Sequence, residues 1–210
     1  MNQRPVILFD WDGTLADSMN LCVEGVRGAL EKLGLPPVSE EMMRSCNGPT
    51  FDETIPLLGI PEALAETYKT IRMELELAAC PRVNHLFPGI RDMLLRLKER
   101  ADLCIASNGG AEYLAVCCHV FDLEGVFSRI EAFQQGRVKA QAVAEILADM
   151  NPSFAVMVGD RLGDISAGKA NGLKTICCTY GYGTEDEWRQ ADQSVATVAE
   201  LEKMLQDLIG

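Results

Sequence analysis

Short apolar runs alternate with amphipathic stretches along most of the chain. Runs typical of buried strands occupy five segments: Val6–Asp10, Asp102–Ser107, Val126–Phe133, Phe154–Gly159 and Lys174–Thr179. Between and after them, apolar residues recur every three or four positions, as at Ile90, Leu94 and Leu97, and this spacing predicts helices. Strands that alternate with helices indicate an α/β fold with a Rossmann-like, mainly parallel sheet.

One segment departs from this alternation. From about Asp17 to Pro81 the chain shows helical patterns without a convincing strand, separated by glycine- and proline-containing breakers. The longest of these patterns places four apolar side chains on one face: Leu64, Tyr68, Ile71 and Leu75. We therefore expect an all-helical domain over residues 17–82, inserted into an α/β core that consists of residues 1–16 and 83–210.

Polar residues follow three of the predicted strands, at the point where each strand ends. The first strand runs into Asp10-Trp11-Asp12-Gly13-Thr14, the second into Ser107-Asn108, and the fourth into a segment with Asp160 and Asp164. Ligands bind beyond the carboxyl ends of the strands in an open parallel sheet. We therefore expect these residues to meet at one edge.

The chemistry of that edge follows from its residue types. Four carboxylates in one crevice, those of Asp10, Asp12, Asp160 and Asp164, repel one another unless a cation lies between them. Ligation by oxygen alone suits Mg²⁺, which also couples carboxylates to phosphate oxygens. A carboxylate held beside the metal can attack phosphorus, and a second carboxyl group can protonate the leaving oxygen and later activate water. The pattern indicates phosphoryl transfer.

The overall charge limits the partners. The 210 residues carry a formal net charge of −12, which argues against nucleic acid because a phosphate backbone requires a basic face. An anionic small substrate then needs local positive charge, from a metal, lysines or helix N-termini. Charges interrupt every apolar run, so we expect no membrane span, no signal peptide and a cytoplasmic location. The oligomeric state, monomer or dimer, stays open.

The eight cysteines do not suggest a metal site or a disulfide framework. They lack a CxxC spacing, and several lie inside apolar runs, where a thiol behaves as a small buried side chain. The chain has only two histidines, His85 and His119, which are far apart in sequence. A metal site built on histidine and a His-dependent catalytic triad are therefore not expected.

The order of the polar motifs resembles that of the haloacid dehalogenase-like hydrolase superfamily. The segment FDWDGTLADS, residues 9–18, resembles its first motif, DxDGT, and Ser107-Asn108 resembles the second. Lys139, at the start of a predicted helix Lys139–Met150, resembles the third motif, and residues 159–172 resemble the fourth, GDxxxD followed by a helix. By this resemblance the helical insert corresponds to the alpha-helical cap of the family.

The resemblance implies a role for each motif residue. Asp10 is expected to be the nucleophile and a magnesium ligand, and Asp12 the acid/base that also lends its backbone carbonyl to the metal. Asp160 is the expected second side-chain ligand, with Asp164 a ligand through water or an anchor for the others. The residues expected to hold the phosphoryl oxygens are Ser107, Asn108, Lys139, Gly13 and Thr14. The presence of Asp12 favours phosphate chemistry over carbon–halogen cleavage, since the dehalogenases of the superfamily lack this aspartate.

Several of these residues also have simpler interpretations. Ser107 and Asp164 can act as helix caps. Arg137 is a rival to Lys139, because an arginine can bind phosphate through two hydrogen bonds. We interpret Trp11 as a packing residue, since strand alternation points it away from the metal.

The predicted cap offers a substrate-facing loop. Residues 47–51, Asn-Gly-Pro-Thr-Phe, resemble a loop of phosphoglycolate phosphatase-like members, which places Gly48 over the site. Arg44 is either a partner for a substrate carboxylate or an exposed helix residue. The sequence segment 180–183 resembles the same subgroup; its two glycines are too few for a dinucleotide loop.

The expected function is hydrolysis of a small phosphorylated metabolite, with phosphoglycolate as the leading substrate. A sugar-phosphate mutase, a 5′-nucleotidase and a pyrophosphatase use related chemistry and remain alternatives. A binding protein that keeps the fold without catalysis is the alternative from a different class, and the complete aspartate set argues against it.

Overall fold

A six-stranded parallel sheet forms the centre of the protein. The computed structural model describes residues 3–210, and the strand bounds below refer to that range. In chain order the sheet strands are β1 (Val6–Phe9), β4 (Asp102–Ala106), β5 (Arg129–Glu131), β6 (Ala155–Gly159), β7 (Lys174–Cys178) and β8 (Gln193–Val195). The order across the sheet is β5-β4-β1-β6-β7-β8, so the predicted Rossmann-like α/β fold is confirmed.

Strand β1 lies in the middle of the sheet. Phe9 pairs with Ile105 of β4 on one side and with Val158 of β6 on the other, in parallel register. The chain order reverses between β1 and β6, and ligands bind at such a switch point in open α/β sheets. The residues that follow β1 and β6 therefore occupy the position where a site is expected.

Helices cover both faces of the sheet, as the alternation in β1 requires. Ile7 and Phe9 point into one apolar core and Val6 and Leu8 into another. The helices of this α/β part are α5 (Ile90–Lys98), α6 (Ala111–Val120), α7 (Lys139–Met150), α8 (Leu162–Ala170), α9 (Glu185–Trp188) and α10 (Val198–Ile209). Helices α5, α6 and α10 pack on the Ile7 face, and α7 and α8 pack on the Leu8 face.

Residues 19–83 form a helical region with an apolar core of its own. It contains α1 (Met19–Lys32), α2 (Glu40–Ser45), α3 (Phe51–Leu57), a 3₁₀ turn (Glu62–Leu64) and α4 (Ala65–Val83). The predicted face of the longest helix packs into this core, with Tyr68 fully buried and Leu64, Ile71 and Leu75 partly buried around it. The domain boundaries proposed from the sequence remain a prediction.

Three strands of the structure were not predicted from the sequence. The strands β2 (Ala16–Asp17) and β3 (His85–Leu86) form an antiparallel ribbon where the chain leaves and re-enters the α/β part. Two residues carry no detectable periodicity, and β8 begins with polar Gln193 and Ser194. Asp17, where the segment without a convincing strand was expected to begin, belongs to β2, and the first helix begins at Met19.

All eight cysteines are buried thiols packed in the apolar cores or at their edges. Within residues 3–210, none of the helices has both the length and the apolar character that crossing a bilayer requires.

Candidate active site

Adjacent strands deliver the central carboxylates. Asp10 follows the last residue of β1, Asp160 follows the last residue of β6, and Asp164 lies in the first turn of α8. Gly159 makes this arrangement possible, because a Cβ at that position would lie 2.2 Å from the Cβ of Asp164. Asp164 also accepts hydrogen bonds from the amides of Asp160 (3.2 Å) and Arg161 (3.0 Å). Asp164 is the third residue of α8, and Arg161 is the N-cap, so the interpretation of Asp164 as the N-cap of a helix that begins at Ile165 was wrong.

Asp10, Asp160 and Asp164 form a compact buried cluster. One oxygen from each carboxylate lies within 4.8 Å of the other two, and the three residues are at most 5% exposed. Lys139, the first residue of α7, extends into the cluster. Its Nζ lies 2.9 Å from Oδ1 of Asp10 and 2.6 Å from Oδ1 of Asp164.

The electrostatics of the cluster indicate an excess of negative charge. Burial, reinforced by the charge of Asp164, raises the pKa of Asp10 to about 7. Burial and the neighbouring carboxylates hold the pKa of Asp160 well above its usual range. Burial lowers the pKa of Lys139, but the charges of Asp10 and Asp164 outweigh it and the net shift is upward, so the ammonium stays charged. Three ionised carboxylates and one ammonium group leave an excess of negative charge, which a divalent cation would balance.

The carboxylate of Asp12 lies outside this cluster and faces the adjoining cavity. Its Oδ1 accepts a hydrogen bond from the Tyr113 hydroxyl at 2.8 Å. Trp11, between the two aspartates, points the other way and packs against Phe121 and Phe127, with ring centroids 6.3 and 6.4 Å away. The interpretation of Trp11 as a packing residue agrees with this placement.

Gly13 and Thr14 lie behind the carboxylates. Gly13 has a φ of +83°, and a Cβ there would lie 2.3 Å from Oδ2 of Asp160. Its amide donates to the carbonyl of Ala16 at 2.8 Å, and the Thr14 hydroxyl donates to Oδ1 of Asp160 at 3.3 Å. Both residues therefore support the position of Asp160, and their contact with a phosphoryl group stays a prediction.

Ser107 and Asn108 line the cavity at the end of β4. The Ser107 hydroxyl accepts a hydrogen bond from the Gly109 amide at 3.0 Å. The side-chain amide of Asn108 donates to the carbonyl of Gly48 at 2.9 Å. Asn108 thus connects the sheet edge to the loop between α2 and α3, and the predicted phosphate contacts of both residues stay predictions.

Lys139 and Arg137, the two candidate phosphate-binding cations, have different partners in the structure. The Arg137 guanidinium lies 2.6 Å from carboxylate oxygens of both Glu131 and Glu145, and it donates to the carbonyl of Ala132. These partners hold Arg137 beside strand β5. The cation that contacts Asp10 is therefore Lys139.

A cavity of about 370 Å³ lies between the sheet edge and the helical region. Asp10, Asp12, Ser107 and Asn108 form one wall, and residues of α4 form the opposite wall. Gly48 also lines the cavity and has a φ of +104°, and its predicted contact with a substrate stays a prediction.

Arg44 does not reach the cavity wall. It lies on α2 with half of its side chain exposed and pairs with Glu40, four residues earlier, at 2.9 Å. An ion pair of this spacing on an exposed helix face satisfies both side chains locally. The structure therefore favours the interpretation of Arg44 as an exposed helix residue.

Sequence reasoning missed the charged pair that does line the cavity. Arg72 of α4 is 5% exposed and pairs with Glu76 at 2.7 Å. Its guanidinium lies 4.9 Å from the ring centroid of Phe51, and its Nη1 has no hydrogen-bond partner within the described part of the chain. The only sequence signal was a spacing of four between opposite charges, which also occurs on many exposed helices.

Two further loops close around the carboxylates. The amide of Tyr182 donates to Oδ2 of Asp160 at 2.7 Å, and a Cβ on Gly181 would lie 2.3 Å from the carbonyl oxygen of Gly13. Gly181 is therefore needed for the close packing of this segment against the site. From the other side, Asn47 donates to Ser18 at 3.2 Å and accepts from Arg161 at 3.3 Å through its carbonyl.

Comparison with known proteins identifies the family. The sequence profile of haloacid dehalogenase-like hydrolases matches residues 7–178, most of the chain. The chain belongs to the haloacid dehalogenase-like hydrolase family. The resemblance of the motifs, and with it the prediction of a hydrolase-family enzyme, is confirmed.

Relatives within the family carry different activities in their names. The chain is 30% identical to the tyrosine-protein kinase PtkA of Mycobacterium tuberculosis, over 98% of this chain and 72% of that protein. It is 26% identical to a phosphoglycolate phosphatase of Nitrosococcus oceani, over 98% of both. The crystal structure of a predicted phosphatase from Clostridium acetobutylicum shares the fold, with a TM-score of 0.86 at 24% identity over 98% of this chain and all of that one.

Proposed function

We propose that this hydrolase is a magnesium-dependent phosphatase that cleaves a small phosphate monoester through an aspartyl-phosphate on Asp10. One observation carries the proposal: the buried cluster of Asp10, Asp160 and Asp164 contacts Lys139 directly beside a cavity that Asp12 also lines. This arrangement supports the assignment of a nucleophile, a cation site and a proton donor to these residues. The match of a phosphoglycolate phosphatase over 98% of both chains supports the phosphatase assignment.

The donor set fits a magnesium ion. Asp10, Asp160 and Asp164 offer oxygen ligands within one small buried volume, and the backbone carbonyl of Asp12 is a further candidate. Burial, together with the neighbouring carboxylates, raises the pKa of Asp10 and Asp160, and a divalent ion would offset both by stabilising the ionised carboxylates. When bound, the ion would neutralise charge on the phosphoryl group and keep Asp10 ionised.

The residues of this chain then divide the reaction into two steps. In the first, the Asp10 carboxylate attacks phosphorus while the Asp12 carboxylic acid protonates the oxygen of the departing alcohol. In the second, the Asp12 carboxylate takes a proton from water as that water attacks phosphorus and Asp10 leaves. In this proposal Lys139 holds a phosphoryl oxygen and balances charge through both steps, and Ser107, which lines the cavity, binds another phosphoryl oxygen.

The α4 wall points to the part of the substrate that is not phosphate. Arg72 lines the cavity, and its buried Nη1 has no hydrogen-bond partner among the described residues, so this arginine has unused capacity to bind an anionic or strongly accepting group. Phosphoglycolate, with a carboxylate beside its phosphate, meets that requirement and is the leading substrate. A 5′-nucleotide, a sugar phosphate and pyrophosphate are the competing substrates.

The helical region is proposed to act as the cap of the site. The loop between α2 and α3 contacts the α/β part through Asn47, Gly48 and their partners, in an arrangement that covers the cavity. Closure of this kind excludes bulk water during phosphoryl transfer, and opening releases the product.

Transfer to an acceptor other than water is the second candidate. The relative named as a tyrosine-protein kinase, 30% identical over 98% of this chain, favours it. A phosphorylated Asp10 passes its phosphoryl group either to water or to a hydroxyl of a sugar or protein, depending on what enters the cavity. The site chemistry is the same, and the acceptor distinguishes the activities.

A substrate panel tests these assignments. The purified protein is incubated with p-nitrophenyl phosphate, phosphoglycolate, a 5′-nucleotide, pyrophosphate and glucose 1-phosphate, with magnesium or with a chelator. We expect free phosphate that depends on magnesium, with the highest kcat/KM for phosphoglycolate. Isomerisation of glucose 1-phosphate without free phosphate indicates a mutase. Phosphotyrosine formed from ATP and a tyrosine-containing protein indicates a kinase, and no turnover of any substrate contradicts the enzyme assignment.

A further inference from the structure

Two hydrogen bonds between side chains connect Asp12, the proposed acid/base, to Tyr113 and then to Asn84. The Tyr113 hydroxyl lies 2.8 Å from Oδ1 of Asp12, and the Asn84 side-chain amide nitrogen lies 3.2 Å from the same hydroxyl. Neither residue belongs to the motifs that define the family resemblance. Tyr113 lies in the first turn of α6, and Asn84 is the residue that follows α4.

The direction of these hydrogen bonds is determined by their chemistry. A hydroxyl has one proton to donate, and the Asn84 amide nitrogen is itself a donor toward the Tyr113 oxygen. The Tyr113 proton is therefore left for Asp12.

The local fold supports this placement. Gly109 precedes α6, and a Cβ at that position would lie 3.0 Å from the Tyr113 ring, so glycine allows the ring to lie against the backbone. Asn84 is 1% exposed, and its amide nitrogen also lies 3.4 Å from Sγ of Cys117. A thiol is a weak acceptor, so the Tyr113 oxygen is the strong partner for this buried amide.

We propose that Tyr113 is a positioning residue for Asp12, held in turn by Asn84. By donating to Oδ1, Tyr113 fixes the rotation of the carboxyl group and leaves Oδ2 as the oxygen that carries the exchanged proton. Asp12 then gives that proton to the leaving-group oxygen as its bond to phosphorus breaks, and regains one from water in the second step. Tyr113 itself transfers no proton. The inference rests on the proposed function, because it assigns Asp12 the acid/base role.

The dependence of the rate on the leaving group separates this role from simple packing. An alkoxide needs a proton as it departs, whereas p-nitrophenolate departs readily without one. A misplaced Asp12 therefore slows alkyl phosphates selectively. A change in packing that disturbs Asp10 or the metal site slows all substrates alike.

The Tyr113→Phe variant removes the hydroxyl and keeps the ring. We compare kcat/KM for phosphoglycolate, phenyl phosphate and p-nitrophenyl phosphate at saturating magnesium. We expect a loss of about 10- to 100-fold for phosphoglycolate, in kcat rather than KM, and less than about 3-fold for p-nitrophenyl phosphate. The matched control is Tyr180→Phe, which removes a hydroxyl that donates to the Thr14 carbonyl at 3.0 Å, and whose effect is expected to be the same for every leaving group.

The Asn84→Ala variant tests the second link of the chain. It keeps the Tyr113 hydroxyl but no longer orients it, so the same leaving-group dependence is expected with a smaller loss. If Tyr113→Phe lowers kcat/KM equally for all three substrates, or for none of them, the inference is overturned. Turnover by the wild-type protein in the same assays still supports the phosphatase assignment. Absence of wild-type turnover on all three overturns the proposed function and the inference together.

Discussion

The sheet edge and helix α4 face each other across one cavity, but their charged residues are held there in different ways. Asp10 and Asp160 sit at the ends of adjacent central strands, and their positions follow from the register of β1 and β6. Arg72 and Glu76 lie one turn apart on a single helix and balance each other within it. The sheet edge therefore concentrates unbalanced negative charge, whereas Arg72 and Glu76 on the α4 wall form a nearly neutral pair in which Arg72 Nη1 has no hydrogen-bond partner among the described residues.

This difference assigns separate tasks to the two walls. The unbalanced charge of the sheet edge suits binding of a cation and transfer of a phosphoryl group, which every substrate presents. In the proposed mechanism, Arg72 on α4 meets the part of the substrate that varies. Changes to the carboxylate cluster of Asp10, Asp160 and Asp164 should then affect all substrates equally, and changes at Arg72 on α4 should discriminate among substrates that differ outside the phosphate.

The largest effect is expected from Asp10→Asn. This variant removes the nucleophile but keeps the size of the side chain, so turnover should fall at least about 10⁴-fold for every substrate. Phosphate release measures the rate, and circular dichroism checks the fold. The matched control is Asp92→Asn on the exposed face of α5, for which wild-type turnover is expected. Full magnesium-dependent activity of Asp10→Asn would contradict the mechanism.

A smaller and selective effect is expected from Arg72→Met. Loss of a hydrogen bond to a charged group lowers kcat/KM for phosphoglycolate by about 10- to 100-fold, and p-nitrophenyl phosphate, which lacks a carboxylate, should be almost unaffected. Steady-state kinetics on both substrates measure the difference. The comparison control is Arg44→Met, which removes an arginine from the exposed face of α2.

The Arg72→Met substitution also leaves Glu76 buried without its partner, which destabilises the protein. The double variant Arg72→Met/Glu76→Met removes both charges and should keep the selectivity change with less loss of stability. Equal losses of kcat/KM for both substrates would show that Arg72 on α4 does not contact the part of the substrate outside the phosphate.

The smallest expected effect is on stability, and it depends on pH. The pKa of Asp10 is raised to about 7 in the folded protein without metal, so folding favours the protonated carboxyl. The stability that this group contributes is present at low pH and is lost as the pH rises through about 4 to 7. Magnesium binds the ionised form and should restore that stability mainly above pH 7.

Thermal unfolding at pH 5 and pH 8 measures this dependence. At pH 8, magnesium at about a hundred times its Kd should raise the Tm by roughly 5–10 °C, and at pH 5 the rise should be clearly smaller. Sodium chloride at equal ionic strength is the control. A rise of the same size at both pH values, or none at pH 8, would show that the carboxylate cluster is not the magnesium site.

The sequence predicted the sheet edge better than the opposite wall for physical reasons. A buried run such as Val6–Phe9 has one interpretation, and the residue after it has one place to go, at the strand end. Lys139 and Arg137 were not separable in this way, because both precede or begin α7 and only the partners of Arg137 on β5 and α7 decide between them.

The α4 wall depends on tertiary packing that periodicity does not encode. An arginine and a glutamate four residues apart suggest an exposed ion pair, yet Arg72 lies against Phe51 inside the cavity wall. Tyr113 and Asn84 were missed for a similar reason. Asn84 contacts Tyr113, which contacts Asp12, and this arrangement requires the end of α4 to pack against α6. Short elements such as β2 and β3 were missed because two residues show no period.

Trapping of the phosphorylated enzyme tests the central assignment most directly. The protein is mixed with magnesium and phosphoglycolate, quenched within the first turnovers and treated with borohydride, which reduces an acyl phosphate to the alcohol. Peptide mass spectrometry then locates the product. We predict homoserine at residue 10, dependent on substrate and magnesium, with Asp12, Asp160 and Asp164 unchanged. Continued phosphate release with Asp10 unmodified, or with the reduced residue at another position, would contradict Asp10 as the nucleophile.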